Sequence, residues 1–101
     1  MVGFQILLRV SPDKRQEFLH TFNLLTRADH RSDHCIGQCL FEDVGETNRF
    51  LWSEIWNDSK TMETHLGTDR FRSLLGAIDV LGELEDLHLV ELKAFTNEIN
   101  K

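Results

Sequence analysis

The 101-residue chain has no tyrosine, a single proline and two cysteines. Cys35 and Cys39 are too few for a disulfide scaffold. On one strand their Cα atoms would stand about 13 Å apart, at ~3.3 Å per residue, too far to bridge. Reduced thiols in a cytoplasmic protein are the expectation. No segment approaches the ~20 apolar residues of a membrane span. The apolar start, Met1 to Val10, lacks a basic lead and a small-residue cleavage site, so it reads as a strand rather than a signal peptide. Positive charge is also scarce: 11 Lys and Arg against 17 Asp and Glu give a net charge of -6. The basic residues are scattered, whereas a nucleic-acid surface needs them in a stripe that displaces counterions. Neither nucleic acid nor an anionic membrane is therefore expected as a partner.

What the chain does have is clear periodicity. Val2, Phe4, Ile6, Leu8 and Val10 alternate with Gly3, Gln5, Leu7 and Arg9, the pattern of a strand with one apolar face. Ser11, Pro12 and Asp13 form a helix start, and Phe18, Phe22 and Leu25 carry the buried stripe of a helix over 12–28. Residues 29–34 read as a polar loop. Cys35 to Val44 and Arg49 to Trp56 look extended, and the turn-like Gly45, Glu46, Thr47 and Asn48 join them as a hairpin. Asn57, Asp58 and Ser59 cap a short helix through Leu66. Gly67 interrupts it, Thr68 and Asp69 start another, and Gly82 stops that one. A last strand is expected over 86–95 and a polar tail over 96–101, so one domain fills 1–95. The order is the α+β, ferredoxin-like βαββαβ plan: a four-stranded antiparallel sheet with helices on one face.

In such a plan the second sheet face should be polar. Instead Leu51 and Ile55 oppose Phe50, Trp52 and Trp56 on the third strand. On the last, Val90, Leu92 and Ala94 oppose Leu87, Leu89 and Phe95. Apolar residues on both faces imply a cover, and a second copy related by a two-fold axis is the commonest one. A homodimer is expected.

The segment from Phe50 to Trp56, followed by Ser59, His65, Phe71, Leu74 and Leu75, resembles the antibiotic biosynthesis monooxygenase family. That family has a Glu-x-Trp strand end and a His on the next helix before a Phe. His34-Cys35-Ile36-Gly37 is similar to its entry to strand two, with His34 in place of the usual glycine. The resemblance runs from about Val2 to Phe95. It implies a dimeric α+β barrel, with a pocket between sheet and helices in each subunit. It also implies oxidation of phenolic or quinol-like compounds by molecular oxygen, with neither metal nor flavin as cofactor. Haem degradation, found elsewhere in the superfamily, is disfavoured: Gln5 stands where an Asn is needed, and the final helix has no His.

Within that frame Glu54 is the candidate base. A carboxylate between Trp52 and Trp56 would have a raised pKa and could take a phenolic proton, leaving an anion that reacts with oxygen. It could equally pair with His65 or an Arg to tie strand to helix. His65, a turn from Met62, is either a proton shuttle beside Glu54 or a satisfied semi-buried histidine. Trp52, Trp56 and Phe71 could line a pocket for a small aromatic ligand or simply be core. Gln5 and Arg9 could orient a ligand or be polar groups of a dimer interface. His30, His34 and Cys35 do not make a metal site, because their segment reads as a loop and no second cluster completes four ligands. The leading expectation is a cofactor-independent monooxygenase. The alternative is a non-catalytic small-ligand-binding or stress-response dimer of the same fold.

Overall fold

Alternation of apolar side chains and one-residue offsets in strand pairing together decide what faces the helices. The computed structural model describes residues 1–27 and 34–93. Four strands, β1 (Val2–Val10), β2 (Cys35–Glu42), β3 (Arg49–Trp56) and β4 (Gly82–Glu91), pair antiparallel in the order β2-β3-β1-β4. A 3-10 turn over Pro12–Lys14 leads into α1 (Arg15–Arg27), and β3 is joined to β4 by α2 (Ser59–Leu66) and α3 (Asp69–Leu81). This is the expected ferredoxin-like arrangement, with the second crossover split at Gly67.

Phe4, Ile6, Leu8 and Val10 of β1 and Phe50, Trp52 and Trp56 of β3 are buried against Phe18, Phe22, Met62, Phe71, Leu74, Ile78 and Leu81 of the helices. Each such side chain contributes about 1.5–3 kcal/mol by leaving water, so this layer dominates the stability of the subunit. Asp58 caps α2 by accepting the Thr61 N–H (2.9 Å), and Thr68 caps α3 by accepting the Phe71 N–H (3.2 Å). The expected Ser11 cap differs: its side chain makes no capping bond. Its backbone is used instead, with the N–H donating to Leu81 O and the carbonyl accepting from Lys14.

Two register shifts set the parity of the outer strands. In β2, Cys35 pairs with Trp56 but Gly37 pairs with Ile55, so Ile36 is extra; in β4, Glu85 is extra between Leu84 and Asp86. A bulge turns every later side chain to the opposite face. The face away from the helices therefore carries the rows Gly37–Ile55–Gly3–Val90, Cys39–Ser53–Gln5–His88 and Phe41–Leu51–Leu7–Asp86. It is neither wholly apolar nor wholly polar. Leu7, Leu51 and Ile55 are partly exposed, and Phe41 is 56% exposed.

Two strand boundaries depart from expectation. β2 stops at Glu42, and Val44 lies in the turn to β3. There Asn48 takes a positive φ of 70°, a conformation that Asn tolerates because its short polar side chain bonds locally. β4 begins at Gly82 rather than at Asp86. A Cβ at Gly82 would run into the Arg9 carbonyl of β1, so glycine lets the strand start directly at the end of α3. Leu92 follows the end of β4, though its N–H still donates to Met1 O. Ala28, the loop over 29–33, Ala94 with Phe95, and the tail over 96–101 lie outside the described residues.

Candidate functional site

Glu54 is the fixed point of the interior. Its position on β3, two residues from each tryptophan, puts all three side chains on the helix-facing side. Its side chain is fully buried. An ionised carboxylate costs several kcal/mol to bury without bonded partners, and here N–H groups supply them. Oε2 accepts from Gln38 Nε2 (2.6 Å) and Trp52 Nε1 (3.1 Å), and Oε1 accepts from Trp56 Nε1 (3.1 Å). His65 Nε2 stands 3.4 Å from Oε1.

His65 reaches this point because the Asp58 cap starts α2 where Met62 and His65, one turn apart, both turn to the sheet. The Thr61 N–H bonded to Asp58 holds that carboxyl below its ordinary range, which suits a helix N-terminus. The Thr68 hydroxyl donates to the His65 carbonyl (2.7 Å) and accepts the Phe71 N–H, so one side chain fixes both residues. The imidazole packs at 4.7 Å from Trp56 and 5.6 Å from Phe71, measured between ring centroids, with Phe4 parallel to it at 6.4 Å. Trp52 meets Phe4 at 5.1 Å and Phe22 at 5.4 Å, both edge-on.

Of the seven residues singled out from the sequence, five converge here: Glu54, His65, Trp52, Trp56 and Phe71. Gln5 and Arg9 do not. They point from β1 to the opposite sheet face, Gln5 between Ser53 and His88. Arg9 is engaged there by Glu46 (2.8 Å) and Glu85 (3.7 Å), and the Glu46 bond raises its pKa. No single small ligand within one subunit could touch both groups. Around Glu54 and His65 the rings of Phe4, Trp52 and Phe71 pack against one another, and Trp56 packs against the imidazole. Open clefts of about 310, 220 and 370 Å³ lie elsewhere, at Pro12 and Gly82, at Phe41 and Leu51, and at Met1 and Leu92.

Gln38 is the residue that sequence reasoning missed. Regular alternation from Cys35 would turn it to the outer face, and only the bulge at Ile36 brings it opposite Glu54. Its one sequence signal is the glycine that follows Ile36, a residue often found where a strand departs from regular pairing. Among the described residues no three of His, Cys, Asp and Glu converge as metal ligands, and no helix is long and apolar enough to cross a membrane. His30 falls outside them. Chemically, the cluster sets an imidazole nitrogen 3.4 Å from a buried carboxylate oxygen within a wall of aromatic rings.

Comparison with known proteins bears on this same stretch. The sequence model of the family described as "Antibiotic biosynthesis monooxygenase" matches residues 1–75, which include Gln38, Glu54, His65 and Phe71. YcnE of Bacillus subtilis (strain 168), provisionally named a monooxygenase, is 33% identical over 75 residues, covering 74% of this chain and 79% of the relative. A crystal structure of a provisionally named antibiotic biosynthesis monooxygenase from Deinococcus radiodurans superposes with a TM-score of 0.84 at 22% identity, over 96% of this chain and 97% of that one. A conserved protein from Methanosarcina mazei Go1 gives 0.82 at 18% identity, over 91% and 92%. At such identities these two structures bear on the fold alone.

Proposed function

The chain belongs to the antibiotic biosynthesis monooxygenase family, and from that premise we propose that it is a cofactor-independent monooxygenase acting on a small aromatic, phenolic or quinol-like substrate. The observation that carries this reading is the buried Glu54–His65 pair walled by Trp52, Trp56 and Phe71. The pair takes the acidic proton of the substrate, leaving an electron-rich anion. That anion supplies the electrons to oxygen. For an anthrone-type methylene the balance is R₂CH₂ + O₂ → R₂C=O + H₂O: one oxygen atom enters the product, the other leaves as water, and both electron pairs come from the substrate. The protein contributes orientation, proton removal and exclusion of water. In this reading the working form is a cytoplasmic homodimer, whose two sheets meet on the face that carries Gln5 and Arg9. Those two residues then serve the interface rather than the substrate.

Oxygen uptake with a panel of dihydroxyarenes and anthrones, for the parent chain and Glu54→Gln, tests the proposal. Proton removal by a positioned side chain is worth about 10²–10⁴-fold, so the variant should lose at least two orders of magnitude in turnover. Unchanged turnover would remove Glu54 from the mechanism. A second reading, a non-catalytic ligand-binding dimer, is favoured by one specific observation: three N–H donors already occupy the carboxylate. Tight binding of an aromatic compound with no oxygen uptake from any member of the panel would establish it.

A further inference from the structure

Among the described residues, the four neighbours of the Glu54 carboxylate are not chemically equivalent. The Gln38 carboxamide and the two indoles keep their N–H hydrogens and exchange no proton with a carboxylate near neutral pH. His65 both gives and takes one. Among the described residues the imidazole is therefore the neighbour that can exchange a proton with the carboxylate, with Oε1 turned toward its Nε2 at 3.4 Å. The terminal torsion of a glutamate is broad and two-fold, so its own rotamer does not fix that orientation. Its hydrogen bonds do: Oε1 accepts from Trp56 at 3.1 Å, and Oε2 accepts from Trp52 at 3.1 Å and, more closely, from Gln38 at 2.6 Å. Gln38 comes from a different strand, delivered by the bulge at Ile36, so it anchors the carboxylate from a direction that neither indole supplies.

We propose that Gln38 is a positioning residue of this site, holding Oε2 so that Glu54 exchanges its proton with His65. The proposal rests on the reading of Glu54 and His65 as a proton-handling pair, and it can be tested without any substrate. Long-range ¹H–¹⁵N spectra of the ligand-free chain report which ring nitrogen of His65 carries hydrogen, with the His65 signals identified by their loss in His65→Gln. In the parent, hydrogen should sit on Nε2, facing Oε1. Gln38→Met keeps an unbranched side chain of similar length and removes the donor, and it should shift both ring nitrogens toward the average of the two tautomers. Glu54→Gln should shift them as well. If Glu54→Gln moves these signals and Gln38→Met leaves them at the parent positions, Gln38 does not position the pair and the proposal is overturned. If neither variant moves them, the pairing of Glu54 with His65 has itself failed, and this proposal falls with it. Gln38→Leu serves should the methionine variant not fold. The parent alone gives a further check: one carboxamide hydrogen of Gln38 should exchange with solvent at least tenfold more slowly than an exposed one. Equal rates would also overturn the proposal.

Discussion

Glu42 shows how a single carboxylate anchors the hairpin to the first helix. Arg15 of α1 donates to both of its oxygens, through Nη1 to Oε2 and through Nη2 to Oε1 at 2.8 Å. The Asn48 N–H donates to Oε2 at 2.9 Å, and Arg15 also reaches Asn48 Oδ1 at 2.9 Å. The guanidinium bonds, and then the Asn48 N–H, lower the Glu42 pKa from 4.5 to about 2. A depressed folded-state pKa means that the unfolded chain binds the proton first as acid is added. The stability Glu42 confers is therefore present above pH 4.5 and is lost as the pH falls toward 2. Glu42→Gln lacks the titrating group. Followed by thermal unfolding, the difference in midpoint between parent and variant should be constant from pH 7 to 5 and shrink steadily below 4.5. A difference that stays constant to pH 2.5 would show that the ion pair does not form.

Among the elements, α3 and β4 meet without a loop, and two nearby glycines make opposite predictions there. Gly76 lies inside α3, exposed, with nothing within 4 Å of an added Cβ. Alanine there removes only unfolded-state freedom and should stabilise the chain by about 0.5–1 kcal/mol, raising the unfolding midpoint by about 2–8 °C. Gly82 is extended, at φ -173°, so its backbone is open to any residue, but its space is not, because an added Cβ would meet the Arg9 carbonyl. Gly82→Ala should cost about 1–3 kcal/mol. A neutral result there would mean that β4 separates easily from β1. The same junction marks where the sequence stops being readable. Strands β1 and β3 were legible to the residue, because both are central and their alternation is set by a core on one side. The outer strands were not. Cys35 and Cys39, four residues apart, would share a face in a regular strand, yet the bulge at Ile36 turns Cys35 to the helix side with Trp56 and Cys39 to the outer side with Ser53. A bulge is decided by pairing across the sheet, and a single strand carries little trace of it. Glu54, His65, Trp52, Trp56 and Phe71 could be found because they ride on regular elements, and Gln38 was hidden by the irregular one.

At the scale of the molecule, the proposed dimer rests on the outer sheet face. That face carries the apolar row Phe41–Leu51–Leu7, which borders a cleft of about 220 Å³, and the row Cys39–Ser53–Gln5–His88 separates this from Ile55 and Val90. One end of the face is charged but internally neutralised: Arg49 meets Glu85 at 3.1 Å and Asp43 at 3.4 Å, while Arg9 meets Glu46. A second copy can cover the Phe41–Leu51–Leu7 row without leaving those arginines unpaired, which is why association through this face is the expected outcome. Light scattering at about 10 µM should then give twice the chain mass, within the dissociation range of standard-sized interfaces. Leu51→Lys should return single chains of unchanged secondary structure, since Leu51 points away from the helix-side core. The net charge of -6 on each copy opposes association. Screening acts over about 30 Å at 0.01 M salt and about 8 Å at 0.15 M, so dimerisation should tighten as salt is raised across that range. Weakening by salt would instead place attraction between charges, rather than the Phe41–Leu51–Leu7 row, at the centre of the contact. A parent chain that scatters as a monomer at every salt concentration would leave the row open to water, and the proposed dimer would be wrong.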